Sequence, residues 1–206
     1  MNSISRHGAL LLAVPALLLT GCGENGAASS PTVTVTETVS ATSTPSTSST
    51  PAAATGKLSP RGALMKQPGE MAGLGAPNGD SLIEFTVQSI EADPTCTGRD
   101  PRAPENGTFV ALDVDLEVFP GAEENYVDGN LVNPNSFRFI GTDGTTFGGD
   151  VATAPTYTCL PPESLLNTQV GDGERTSGTI LLDLPEDSGT LLLEDEMSGN
   201  KWEWNF

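Results

Sequence analysis

Few residues of this 206-residue chain are of a type that performs covalent or acid–base chemistry. It contains three cysteines and a single histidine, His7. Beyond residue 7 there is no imidazole for a Ser-His-Asp or Cys-His arrangement, and the nucleophile motif G-x-S-x-G does not occur. A Ser–Lys pair would have to use Lys57, Lys66 or Lys201, and we expect none of these lysines to lie in an S-x-x-K motif. The sequence therefore predicts a protein that is not an enzyme and has no cofactor.

The first cysteine, Cys22, follows a cationic start and an apolar stretch at residues 9–19. This layout is typical of an export signal. The stretch is too short to span a bilayer as a helix, which takes about 20 residues. The sequence LTGC at residues 19–22 resembles the bacterial lipobox, in which the leader is cut before the cysteine and the thiol receives a diacylglycerol. We therefore predict a lipoprotein signal peptide at residues 1–21 and a lipidated, palmitate-bearing Cys22.

The next segment, residues 22–59, consists almost entirely of Ser, Thr, Ala, Pro, Gly and Val. Such a composition has too little apolar surface to offset the entropy of ordering the chain. We predict a disordered tether that holds the rest of the protein away from the membrane. The alternation TVTVTETV favours a strand only weakly, because no second strand follows it. The dense Ser and Thr are also typical of O-glycosylated stalks.

The remaining residues, 60–206, have the length of one domain and carry the negative charge of the chain. All acidic residues except Glu24 and Glu37 lie here, and all basic ones except Arg6 and Lys57, so this part bears the whole net charge of −18. Such a surface repels phosphate backbones, which excludes nucleic acid as a partner. Charge of one sign is also typical of a soluble surface, although so many acids leave paired carboxylates open for glycoside cleavage.

Two cysteines remain once Cys22 is assigned to the lipid. Cys96 and Cys159 lie in a part of the chain that faces an oxidising space if the protein is exported. We predict that they form a disulfide, which would stabilise the fold by about 4 kcal/mol. The alternatives are a reactive thiol or a zinc site, and zinc would need carboxylates to complete its shell.

Alternating apolar and polar residues predict an all-β fold. In TFVALDVDLEVF the apolar side chains recur at every second position from Val110 to Val118, and Asp113, Asp115 and Glu117 lie between them. Turn sequences such as TDGT, VGDGE and PEDSG separate several shorter segments. About seven short strands at this spacing predict a two-sheet antiparallel sandwich. The shorter segments are LIEFTVQSI, SFRFIG, GTILLDLP, GTLLLEDE and KWEWNF.

The closing segment places three aromatic residues on one face of a strand. Trp202, Trp204 and Phe206 alternate with Glu203 and Asn205. Such a stripe could form a platform for a sugar, but at the end of a β domain it more often fills the core. We predict that these rings lie in the core.

An acidic, Asn-rich loop at residues 121–134 suggests a second function. Its oxygen-bearing side chains include Glu123, Glu124, Asp128 and Asn130, and oxygen is the ligand that calcium prefers. The EF-hand pattern is absent, and Asp and Asn are also ordinary turn formers. A calcium-binding surface module is therefore an alternative, as is a carrier of a small apolar ligand, which would need a cavity.

The order of several segments resembles a family of actinobacterial surface lipoproteins. These segments are PGEMAGLG, FTVQSIEADPTC, GTFVALDVDLEV, FRFIGTDGTTF, VGDGERTSGTILLDLP and the aromatic last strand. The folded part of that family is a domain of unknown function, similar to the secreted immunoprotective antigen of mycobacteria. The resemblance implies an immunoglobulin-like sandwich over most of residues 60–206 and no particular activity. The loop at residues 121–134 has no counterpart in the pattern of that family.

Together these observations predict a protein on the extracytoplasmic face of the cell membrane. The diacylglycerol on Cys22 would insert into the membrane, since acyl chains supply about 0.8 kcal/mol per buried methylene. The sandwich would act as a non-enzymatic binding or interaction module for an unidentified envelope protein or ligand.

Overall fold

The computed structural model describes residues 56–206. The predicted signal peptide, Cys22 and nearly all of the predicted tether lie outside the described residues. Besides four short 3-10 turns, the described part contains eight strands and one single-turn α-helix: β1 (Leu64–Lys66), β2 (Met71–Gly75), β3 (Ser81–Ala92), β4 (Thr108–Val118), β5 (Phe137–Ile140), α1 (Thr156–Cys159), β6 (Arg175–Leu184), β7 (Thr190–Glu194) and β8 (Lys201–Asn205).

The strands form two four-stranded sheets that pack against each other. The first sheet has the order β1-β8-β7-β5 and the second the order β2-β3-β4-β6. All neighbouring strands are antiparallel except β1 and β8, which are parallel. The predicted all-β, two-sheet sandwich is confirmed, and the antiparallel pairing is wrong only for that one pair.

The inner faces of the sheets follow the predicted alternation. In β4 the apolar residues at every second position from Val110 to Val118 are buried, whereas Asp113 and Asp115 between them are exposed. Removing such side chains from water stabilises the sandwich by about 1.5–3 kcal/mol each. The neighbouring strand β3 and the facing strands β5 and β7 of the other sheet contribute to the same core Ile83, Phe85, Val87, Phe137, Phe139, Leu191 and Leu193.

The aromatic residues of β8 connect the two sheets. Trp202 lies edge-on to Phe85 of β3, with 5.2 Å between the ring centroids, and both tryptophans are almost completely buried. Phe206 is half-buried and packs 6.3 Å from the ring of Phe139. The prediction that this stripe fills the core is confirmed for both tryptophans and holds only partly for Phe206.

The acidic loop at residues 121–134 leads from β4 in the second sheet towards β5 in the first. It contains 3-10 turns at Glu123–Asn125 and Gly129–Leu131, and a third at Pro134–Ser136 follows. Ala122 and Val132 are completely buried and belong to the main core. The loop therefore closes one end of the sandwich with its apolar residues.

A second, smaller core lies on the outer side of the second sheet. It contains Phe109, Ala111, Cys159 and Leu181, with Cys96 packed against it. Ala111, which the alternation places on the polar face of β4, is only 8% exposed because this cluster covers it. The segment containing α1 therefore adds a layer to the outside of the sandwich.

The fold begins before the predicted domain boundary at residue 60. Leu58 pairs with Leu64 of β1, and the amide of Met65 donates to the carbonyl of Lys57 at 2.9 Å. Ser59 is buried. The last residues of the predicted tether are thus part of the sandwich. No helix between residues 56 and 206 has the length and apolarity needed to cross a membrane.

Candidate functional site

The predicted cysteine pair is present. Cys96 and Cys159 form a disulfide with an S–S distance of 2.03 Å. The amides of Thr97 and Gly98 both donate to the carbonyl of Cys159 at 2.8 Å, so the backbone also joins the two segments. Neither sulfur is free to act as a nucleophile or a metal ligand. Cys22, the predicted lipidation site, lies outside the described residues.

The calcium candidates lie in the loop that closes the end of the sandwich. Asp128 accepts a hydrogen bond from the amide of Asn130 at 2.8 Å, and this bond caps a 3-10 turn. Glu123 and Glu124 lie in the preceding turn. Within residues 56–206 no three His, Cys, Asp or Glu side chains are grouped so that they could hold a metal ion. Calcium binding stays a prediction.

A neighbouring carboxylate, that of Asp172, holds this loop to the turn before β6. It accepts hydrogen bonds from the amides of Gly121 at 2.7 Å and Glu123 at 3.0 Å. Hydrogen bonds to the ionised form favour it, and those from Glu123 and Gly121 lower the pKa of Asp172 below its ordinary value of 3.8. This carboxylate therefore has a structural partner on the loop that contains the calcium candidates.

Two buried carboxylates are the groups with most potential for acid–base chemistry. Asp183 accepts hydrogen bonds from the amides of Glu105 and Asn106 and from the Thr153 hydroxyl, at 2.6–3.0 Å. Glu203 is paired with Arg61. Both carboxylates are held by neighbouring groups, which gives each of them a structural role.

The expectation that no lysine lies in an S-x-x-K motif is wrong. Ser198 and Lys201 match this motif in the turn between β7 and β8. The Lys201 ammonium lies 2.6 Å from Glu194, and the Ser198 hydroxyl donates to Asp195. In this arrangement each side chain binds an acid, so the pair lacks the Ser–Lys contact that nucleophile activation requires.

The edges of the two sheets differ in how they are covered. A strand at a sheet edge presents unpaired backbone groups, which proteins usually protect. Backbone from neighbouring segments pairs with three of the four edges: Leu58 with β1, Thr146 with β5 and Leu165 with β6. These three edges are closed to a further strand at the paired positions.

The fourth edge, β2, is open in the described part of the chain. Its five residues pair with β3 on one side. Among residues 56–206 no other backbone group bonds to it, and the one polar contact on that side is from the Lys66 ammonium to the Met71 carbonyl, at 2.6 Å. Met71 is 57% exposed. We call Met71–Gly75 the β2 edge.

A cleft of about 380 Å³ lies beside the β2 edge, between β1 of the first sheet and β2 of the second. The Lys66 side chain crosses it to reach Met71. Its lining therefore combines part of the apolar core with polar groups and exposed backbone. The side chains that line it include Leu64, Leu74, Ile83 and Trp202, with Lys66 and Glu84 as charged members.

The hairpin that carries this edge has charge of one sign. Residues 67–98 contain Glu70, Asp80, Glu84, Glu91 and Asp93 and no Lys or Arg. Like charges along one surface attract groups of the opposite sign. The hairpin is thus acidic, the Lys66 ammonium is a base that lies at the β2 edge, and the cleft beside them is partly apolar.

Sequence reasoning missed the β2 edge and the cleft. The segment MAGLG does alternate, because Ala72 and Leu74 are buried and Met71 and Gly75 are exposed. The glycines weaken this signal, since they are normally depleted in strands. Gly73 is required because a Cβ there would lie 2.2 Å from the carbonyl oxygen of Ile83.

Comparisons with known proteins found a similarity to a solved structure. No protein-family model matches the sequence, and no curated protein does so. A similar solved structure is the 1.5 Å crystal structure of MPT63, a secreted protein from Mycobacterium tuberculosis. The likeness covers 70% of this chain and 98% of that one, with 14% sequence identity and a TM-score of 0.44.

Proposed function

We propose that this protein is a lipoprotein on the extracytoplasmic face of the cell membrane, anchored through a diacylglycerol on Cys22. The leader and the LTGC sequence support the anchor. The Cys96–Cys159 disulfide supports the compartment, since disulfides persist where the surroundings are oxidising.

The sandwich on this anchor serves as a non-enzymatic binding module, and its contact surface is the β2 edge with the adjoining cleft. The observation that carries this proposal is the contrast among the sheet edges. Backbone pairs with part of three of them, whereas among residues 56–206 no backbone group pairs with the outer side of the β2 edge, where the Met71 carbonyl accepts a hydrogen bond from the Lys66 side chain. An open edge is a template for pairing with another chain.

The chemistry of the side chains supports a binding role over catalysis. No histidine follows residue 7, and both cysteines of the domain are joined to each other. The buried carboxylates Asp183 and Glu203 are engaged by neighbouring groups. These features leave recognition as the role that the β2 edge is best suited to perform.

Photo-cross-linking in intact cells tests the proposed contact surface. A photoreactive amino acid replaces Met71 in the full-length protein, and the matched control carries it at Met197, which is also exposed, at 72%, but lies in the turn before β8. We expect one discrete adduct from position 71 that position 197 does not give. Identical adducts from both positions, or none from position 71, would contradict the proposal.

A carrier of a small apolar ligand is the second candidate function. The observation that favours it is the cleft, whose volume of about 380 Å³ lies within the range of small-molecule sites. Native mass spectrometry of the protein extracted from membranes distinguishes a carrier of a small ligand from a module that binds another polypeptide. A small molecule retained in stoichiometric amount would favour the carrier.

A further inference from the structure

We infer that the partner of the β2 edge is an extended polypeptide segment that carries Lys or Arg and adds to β2 as a fifth strand of the second sheet. This inference rests on the proposed function, because it names the chemistry of the ligand for the same surface. It follows from three features of the described residues: the backbone of β2, the lining of the cleft and the charge of the hairpin.

The backbone of β2 offers a short, accessible pairing length. The register between β2 and β3 shifts between Leu74 and Gly75, so regular geometry extends over Met71–Leu74. At Gly73 no side chain stands beside the strand. An incoming strand would therefore meet main-chain donors and acceptors there with little steric hindrance, which is the requirement for strand addition.

The cleft supplies side-chain recognition. Successive side chains of a strand point to opposite sides, so one side of an added strand faces the cleft while the other faces away. Leu64, Leu74 and Trp202 give part of the cleft an apolar lining, and Lys66 and Glu84 line the rest with charged groups. An apolar side chain at every second position of the partner would thus contact this lining.

The charge of the surface selects a basic segment. Residues 67–98 have five acids and no base, and the domain around them carries the whole net charge of −18. Lys66, which bonds to the Met71 carbonyl, is a single base at the edge against these five acids. A second copy of this chain would bring the same charge and would be repelled. A segment with Lys or Arg at the positions between its apolar residues matches both the acidic hairpin and the apolar cleft.

Peptide binding to the full mature chain tests the inference. The probes are an eight-residue peptide of alternating Lys and Val, its counterpart with Glu in place of Lys, and a version of the first with Pro at its centre. Hydrogen exchange locates the contact. We expect the Lys peptide to bind at least about tenfold more tightly than the Glu peptide, and to slow exchange of the outward amides of Met71–Leu74 about tenfold. The Pro peptide should not protect these amides, because Pro lacks the N–H that pairing needs.

Two pairs of variants separate specific pairing from general attraction. Glu70→Gln with Glu84→Gln should weaken binding of the Lys peptide several-fold. Glu124→Gln with Glu196→Gln, which removes the same charge from exposed positions elsewhere, should not. Equal weakening by both pairs would overturn the inference, as would binding without protection of the β2 amides.

The peptide-binding and cross-linking experiments together distinguish a failure of this inference from a failure of the proposed function. A specific cross-link at Met71 in cells, combined with no binding of the Lys peptide, would overturn the inference and leave the proposed contact surface intact. Protection of the same amides that rises with protein concentration in the absence of peptide would assign the edge to a second copy. That outcome also overturns the inference.

Discussion

Arg61 and Glu203 form a bidentate ion pair that fixes the beginning of the fold to its last strand. The Arg61 Nε lies 3.1 Å from one carboxylate oxygen of Glu203, and Nη2 lies 3.3 Å from the other. Glu203 is 2% exposed, whereas the Arg61 side chain is 39% exposed. The carboxylate therefore depends on this guanidinium, because a buried charge needs a partner.

Replacing Arg61 by Ala should destabilise the protein by about 2 kcal/mol, less than for a fully buried pair because Arg61 is partly solvated. Urea denaturation measures the loss. Arg175→Ala is the control, because it removes a pair with Glu117 in which both side chains are more exposed. That change should reduce stability by less than about 1 kcal/mol. Equal losses in the two variants would show that Glu203 does not depend on Arg61.

The disulfide should be a large contributor to stability. Cys96 and Cys159 are 63 residues apart in sequence. On the loop-entropy model, replacing both by Ser should lower the free energy of unfolding by about 4 kcal/mol. Thermal unfolding with and without a reducing agent gives the same comparison in the unmodified protein. A reduced protein that melts at the oxidised temperature would contradict this prediction.

The backbone approach next to the disulfide requires a glycine. A Cβ at Gly98 would lie 2.1 Å from the carbonyl oxygen of Thr158, whereas one at Gly148 would meet no atom within 4 Å. Gly98→Ala should therefore destabilise the protein by about 1–3 kcal/mol, because the backbone must move. Gly148→Ala, the control, should change stability by less than about 0.5 kcal/mol. A larger loss of stability for Gly148→Ala than for Gly98→Ala in a urea titration would contradict the close backbone approach at Gly98.

The hydrogen bonds to Asp172 should make the stability of the acidic loop depend on pH. Its pKa is lower in the folded protein than the ordinary value of 3.8. The ionised carboxylate therefore stabilises the fold fully above that value, and the contribution disappears as pH falls through the lowered pKa. The unmodified protein should exceed Asp172→Asn in stability at neutral pH, and the difference should shrink in acid. A difference that grows in acid would mean that the pKa is raised instead.

The strands with complete alternation were predictable from the sequence. Every second residue of β4 from Val110 to Val118 is apolar, and this pattern alone identifies both the strand and its buried face. The tryptophans of β8 were predictable for the same reason. The disulfide followed from the prediction that the domain is exported and that two cysteines are left in it once Cys22 is assigned to the lipid.

Features that depend on pairing between distant segments were not predictable. β1 has only three residues, and its parallel pairing with β8 is decided by packing in the finished sandwich. Glu203 has the pattern of a solvated residue but is covered by Arg61, which lies 142 residues earlier. The cleft lies where β1 and β2 of different sheets come side by side, and the β2 edge is open because no other described segment pairs with it, and no local sequence pattern reports either feature.

The anchor is the central claim, and the mass of the N-terminal peptide tests it most directly. The protein is extracted from the membrane fraction of the cells that produce it and is cleaved with a protease. We expect its first peptide to begin at Cys22 and to carry the added mass of a diacylglycerol with its acyl chains. Cys22→Ser should move the protein out of the membrane fraction. A soluble protein whose first peptide still begins at Met1 would contradict the account.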